Sequence, residues 1–130
     1  MDPMDKDFDR WTKIKKIIEA SDKKVFCNQR EIWWSSIGEN IGTEFCGKNN
    51  LYERPVLIMK VYNVDTIKIL PLTSKIKNGK YFVEVKNDKV ISFGSLSQVK
   101  TISTKRLSRK VGRISKDNFR IVLQKYVESI

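Results

Sequence analysis

The strongest constraint on this chain is a series of short β-branched and aromatic runs between Arg30 and Ile114, each closed within a few residues by turn-forming positions. Arg30–Ile37 (REIWWSSI), Arg54–Tyr62 (RPVLIMKVY) and Thr66–Leu72 (TIKILPL) are too short for helices and read as strands. Asn63 to Asp65 supplies a hairpin turn, and Asn87-Asp88 supplies another between YFVEV and KVISF. Ser95–Ile102 (SLSQVKTI) reads as a further strand, Ser103 as the cap of a short helix through Ser108, and Lys110–Ile114 as a short return strand. Two amphipathic segments frame these runs. In residues 5–20, Phe8, Trp11, Ile14, Ile17 and Ile18 recur at the spacing of one helical face. Near the end, Ser115 is a good N-cap, and Phe119, Val122, Leu123, Tyr126, Val127 and Ile130 follow at positions that predict a helix with one buried face. The expected fold is α+β and mainly β: a small, strongly bent, barrel-like sheet with an N-terminal and a C-terminal helix. At 130 residues there is room for one domain, read as 29–130, with 1–28 as a helical extension packed on it.

Charge narrows the partner. The chain has 26 Lys and Arg against 15 Asp and Glu, and the excess is uneven. Residues 1–28 nearly balance, whereas Lys89 to Lys116 holds eight basic residues and no acidic one. Such a stretch attracts polyanions, most often nucleic acid, although a generic basic face has the same composition. No apolar run approaches the ~20 residues of a membrane span. The acidic start lacks an apolar signal region, so a cytoplasmic protein is expected. Cys27 and Cys46 stand without a CxxC pair, and the chain has no histidine, so a zinc site is poorly supported and two structural thiols are expected.

The missing histidine also removes the His–His acid/base pair of many ribonucleases and every Ser-His-Asp or Cys-His arrangement. The glycines of Gly38–Gly47 lead from strand to strand and form no phosphate-binding fingerprint. A nuclease built from this chain must polarise phosphate with arginine and hydroxyl groups.

Gly38-Glu39-Asn40-Ile41-Gly42-Thr43-Glu44-Phe45-Cys46-Gly47 followed by Arg54-Pro55-Val56-Leu57-Ile58 resembles the glycine-spaced loop and RPVLV-type strand of the MazF/PemK (Kid-like) toxins. Pro71-Leu72-Thr73-Ser74-Lys75 is similar to that family's PLTS motif, and Leu96–Ile102 with Lys105-Arg106-Leu107 to its "LxQIRTI…(K/Q)RL" segment. Each motif is short, but their order and spacing agree. The resemblance implies an SH3-like barrel of about five to seven strands, dimerised across a basic groove. It also implies an endoribonuclease that cuts single-stranded mRNA through the ribose 2′-hydroxyl, with no metal or other cofactor, and an acidic antitoxin as partner.

The family's catalytic arginine falls on Arg54 and its catalytic threonine on Thr73; Glu44 is the third catalytic candidate. A guanidinium offers a rigid fork of donors to a phosphate on which charge builds up, but its very high pKa makes it a poor proton reservoir. Glu44 either orients Arg54 or helps remove the 2′-proton. Ser74, Lys75, Lys48, Phe45, Tyr52, Gln98 and Lys100 are the candidate RNA contacts, with Phe45 and Tyr52 as stacking rings and Lys48 on a backbone phosphate. Each has a plainer alternative: Arg54 as an exposed strand-start residue, Thr73 and Ser74 as turn hydroxyls, Glu44 paired with Lys48, and Gln98 and Lys100 on a strand face. Trp33 and Trp34 alternate on a strand, so at least one belongs in the core. The loop Lys48 to Glu53 is longer than in many family members, so a cleavage sequence does not transfer. Two rivals stand beside the ribonuclease: a non-catalytic nucleic-acid-binding barrel, and a CcdB-type gyrase poison. The latter is expected to carry an aromatic residue near its C-terminus, where this chain ends Glu128-Ser129-Ile130.

Overall fold

The computed structural model describes residues 8–20, 24–37 and 53–130. Helix α1 (Phe8–Ala20) is followed by β1 (Glu31–Ser36), β2 (Glu53–Val61), β3 (Thr66–Thr73), β4 (Phe82–Lys86), β5 (Ile91–Ser95), β6 (Lys100–Ser103), β7 (Leu107–Arg113) and helix α2 (Lys116–Ser129). The seven strands form one antiparallel sheet in the order β4-β5-β3-β2-β1-β7, with β6 also pairing β3. This is the mainly-β fold with two helices that the sequence predicts. The ladder bends but does not close. Its outer strands, β4 and β7, share no ladder among the described residues, and β3 changes partner along its length: Thr66–Ile69 pairs β6, while Leu72-Thr73 pairs β5.

The central strands are apolar on both faces, which explains their nearly continuous hydrophobic runs. Val56 and Ile58 of β2 and Ile67 and Ile69 of β3 join Val25, Cys27, Ile37 and Leu107 in one cluster. The alternating residues Leu57, Met59, Leu70 and Leu72 enter a second cluster with Val83, Val85, Phe119 and Val122. Chain direction reverses at Asn87, whose side-chain oxygen accepts from Lys89 N (3.0 Å) and Val90 N (2.9 Å). β5 passes so close to β3 that a Cβ at Gly94 would collide with the Leu70 side chain, so glycine is required there.

Three local expectations change. Ser95–Ile102 is not one strand: β5 ends at Ser95, a 3₁₀ turn spans Leu96–Gln98, and β6 starts at Lys100. Alternation of side chains does not encode that a chain leaves one partner strand for the next. Ser103 does cap, its Oγ accepting from Lys105 N (3.2 Å), but the element is a single 3₁₀ turn, Thr104–Arg106, because Leu107 returns to extended geometry as β7 begins. The apolar stripe of α2 is only partly buried. Ser115 caps it as expected through Asn118 N (3.0 Å), and Phe119 and Val122 are buried, yet Leu123, Val127 and Ile130 are exposed. α2 packs mainly on β4, a strand of only five residues, and its last turn runs past that support.

Candidate active site

Arg54 is the second residue of β2 and is only 8% exposed. The β2–β3 ladder runs as far as Val56 opposite Pro71, so Arg54 on β2 and Thr73 on β3 each lie two residues beyond its last pair. The guanidinium Nη1 donates to the Leu72 carbonyl (3.3 Å), tying the side chain to the strand that ends in Thr73. Thr73 Oγ1 accepts from Lys75 N (3.3 Å), so the turn that follows β3 fixes the hydroxyl, and Ser74 and Lys75 stand exposed beside it. Arg54 is therefore a buried, oriented side chain rather than an exposed strand-start residue. Thr73 is buried as well and keeps a hydroxyl hydrogen to donate.

On β1, Ser35 lies opposite Arg54, fully buried, and its Oγ has no hydrogen-bond partner among the described residues. Most buried hydroxyls in folded proteins are paired, so this one is an unmet polar group in the packing beside Arg54.

The residue before Arg54 points to the other face and is held differently. Glu53 is 1% exposed; it accepts from Ser108 Oγ and from Arg109 Nη1 (3.2 Å), both on β7. Arg109 also lies over the Trp34 ring, 4.9 Å from its centroid. A parallel arrangement holds Glu31, which accepts from Asn28 N (2.9 Å) and the Trp33 indole (3.0 Å) and pairs with Lys110 (2.9 Å). Burial pushes the Glu31 carboxyl up. The bonds from Trp33, Asn28 and Lys110 outweigh it and leave the pKa below the ordinary carboxylate value. Trp33 thus packs on the core and braces Glu31, while Trp34 carries Arg109.

Lys100 pairs across β6 with Ile69, which alternates with Pro71 and Thr73 on one face of β3, about 13 Å of strand from Thr73. Gln98 and Lys100 together line a cleft of 200 Å³. The structure therefore brings Arg54, Thr73, Ser74 and Lys75 to one end of β3, with Gln98 and Lys100 further along the strand that borders it. Glu44, Phe45, Lys48 and Tyr52 lie outside the described residues. Sequence reading did not single out Ser35, Glu53, Ser108 or Arg109; the only hint was Arg109, one of the eight basic residues in the acid-free stretch. Cys27 is a buried free thiol, and burial, with the charge of Glu31 nearby, pushes its pKa to about 11, so it is inert as a nucleophile. No helix among the described residues is long and apolar enough to cross a membrane.

Residues 28–130 match the family model described as PemK-like, MazF-like toxin of type II toxin-antitoxin system. The fold is similar to that of MazF (form I) from Deinococcus radiodurans, with a TM-score of 0.67 and 17% identity over 81% of this chain and 96% of that one. It is also similar to an endoribonuclease in complex with its cognate antitoxin from a Mycobacterial species (TM-score 0.63, 9% identity, 80% of this chain and 94% of that one). A third similar structure is the Mycobacterium tuberculosis toxin MazF-mt6 (TM-score 0.59, 17% identity, 77% and 95%). At these identities the likeness speaks to the fold alone. No curated protein matches significantly in sequence.

Proposed function

The chain belongs to the PemK-like, MazF-like toxins of type II toxin-antitoxin systems, and from that premise we propose that it is a metal-independent endoribonuclease that cleaves single-stranded mRNA at a short recognition sequence. The observation that carries this reading is Arg54, buried and tethered to the carbonyl of Leu72, the residue that precedes the buried Thr73.

In the proposed reaction the ribose 2′-oxygen attacks the adjacent phosphorus, the bond to the 5′-oxygen breaks, and the products are a 2′,3′-cyclic phosphate and a 5′-hydroxyl end. Negative charge grows on the non-bridging oxygens as the fifth bond forms. Arg54 neutralises that charge with a fork that folding has already desolvated and oriented, so little reorganisation is needed as charge develops. The Thr73 hydroxyl donates to the same phosphate. Arg54 stays protonated throughout, the proton from the 2′-hydroxyl is assigned to Glu44, and solvent water supplies the proton that the departing 5′-oxygen takes up. Ser74 and Lys75 extend the phosphate contacts beyond the turn. Phe45, Tyr52 and Lys48 contribute from the loop, and Gln98 and Lys100 from the β6 side.

Two partners complete the reading. A second copy of the chain fits the exposed Leu123, Val127 and Ile130 of α2, apolar side chains that stay in water in a single chain. An acidic, disordered antitoxin segment would cover the basic groove and block Arg54. The working compartment is the cytoplasm, and residues 1–28 are an extension of the 29–130 domain.

The test is to incubate the chain and its Arg54→Ala variant with a long unstructured RNA in EDTA and map the ends. Discrete cuts at a recurring short sequence, ending in cyclic phosphate and slowed by on the order of 10²–10³ in a folded Arg54→Ala variant, are expected. A strict requirement for a divalent metal, or full activity of the variant, would overturn the mechanism.

A further inference from the structure

α1 precedes the stretch that matches the family, and it does not simply cover the sheet. Between α1 and the β6 segment lies a pocket of 440 Å³, within the range of about 300–1,000 Å³ typical of small-molecule sites. Its cationic lining comes from three elements: Lys15 of α1, Lys100 of β6, and Lys105 and Arg106 of the following 3₁₀ turn. Among the described residues that line it, the acidic one is Asp65, whose carboxylate stands 4.0 Å from the Lys24 ammonium. The aromatic wall is Trp11, with the Arg106 guanidinium 5.7 Å from its ring centroid. A cluster of cations beside an aromatic ring and a stacked guanidinium suits a phosphate joined to a planar base.

The pocket is also placed on a track. Lys100 lines both it and the Gln98 cleft, and Thr66, on the pocket wall, is seven residues from Thr73 along β3, about 23 Å at strand rise. A ligand that touched both places would be a flexible polyanion several nucleotides long. We propose that the pocket between α1 and β6 is a second RNA subsite, which holds one nucleotide of a single strand whose scissile bond lies at Arg54 and Thr73. This rests on the endoribonuclease reading. It adds that α1 makes the enzyme prefer long unpaired RNA, through affinity rather than through the chemical step.

The experiment uses the full chain in two arms. In the first, an Arg54→Ala background prevents cutting, and binding is measured for RNAs of about 6 and about 20 nucleotides, a range that brackets one such track. Adding Lys15→Glu and Arg106→Glu should weaken the long RNA about 10-fold, lower its salt slope by about 2, and change the short RNA less than about twofold. Lys15→Glu alone, at an exposed position on α1, should give part of the same loss, which guards against a fold defect in the double variant. Equal losses at both lengths, or none at either, would overturn the subsite. So would a loss confined to a polyglutamate peptide, which would assign the pocket to an acidic protein segment. In the second arm, the wild-type active site is tested on a short RNA carrying the mapped cleavage step. Unchanged cutting by the Lys15→Glu, Arg106→Glu chain supports the proposal, and impaired cutting overturns it. If the parent chain cuts no RNA at all, the endoribonuclease reading fails, while the first arm still decides whether the pocket binds RNA.

Discussion

The basic run from Lys89 to Lys116 is continuous in sequence, but the fold divides it between two flanks that use their charge differently. On β7, Arg109 and Lys110 face carboxylates supplied by other strands, Glu53 of β2 and Glu31 of β1, both buried. On the β6 side, Lys100, Lys105 and Arg106 meet Lys15 of α1 around an open pocket. The first flank uses positive charge to make two buried carboxylates tolerable, and that charge is largely cancelled locally. The second flank concentrates it where a polyanion can reach. Net charge therefore overstates how much of the surface is offered to RNA.

The comparison can be broken most directly at Arg109. Arg109→Ala removes the cation that pairs with the buried Glu53 carboxylate. It should cost about 2 kcal/mol of stability by urea unfolding, while RNA affinity moves less than about twofold. A stable variant with poor RNA binding would mean that both flanks serve the ligand. Lys105→Glu should do the reverse. We expect RNA binding weaker by about fivefold, roughly 1 kcal/mol, with a shallower salt dependence. Its unfolding free energy should stay within about 0.5 kcal/mol of the parent. Unchanged binding across a salt series would remove Lys105 from the groove.

The smallest effect sharpens the comparison through pH. Because the Glu31 pKa is depressed in the folded chain, its contribution is present above the unfolded pKa and is lost as pH falls through the lower, folded value. Lys110→Ala removes one of three partners and should cost about 0.5–1 kcal/mol at neutral pH. It should also move the onset of acid destabilisation upward, toward the ordinary carboxylate range. Identical acid limbs in the unfolding midpoints of the two chains would show that Lys110 does not hold Glu31 charged.

What could be read from the sequence follows the range of the interactions. The cap at Ser115, the turn at Asn87 and the strand runs of β2 and β3 depend on neighbours a few residues apart, and these expectations agree with the fold. Arg54 and Thr73 were singled out through the order of the motifs, and the bond from Arg54 to the Leu72 carbonyl brings the first of them to the strand end that carries the second. Two features were out of reach. Glu53 is braced by Arg109, 56 residues away, and no local pattern announces that a loop-end acid will be buried. Ser35 reads as an ordinary strand serine until its partner across the ladder is known to be Arg54. The break after Ser95 is a third case, since period-two patterning records which face a residue takes and not which strand lies beside it.

The way α2 meets β4 has a consequence for self-assembly. β4 is an outer strand of the sheet, and outer strands invite another chain to add itself in register. The Asn118 amide lies against that strand, with Nδ2 donating to Glu84 O (3.0 Å) and Oδ1 accepting from Lys86 N (2.9 Å). One side chain thus reproduces the donor and acceptor pair that an intruding strand would offer, so a growing fibril would first have to peel the helix away from this border.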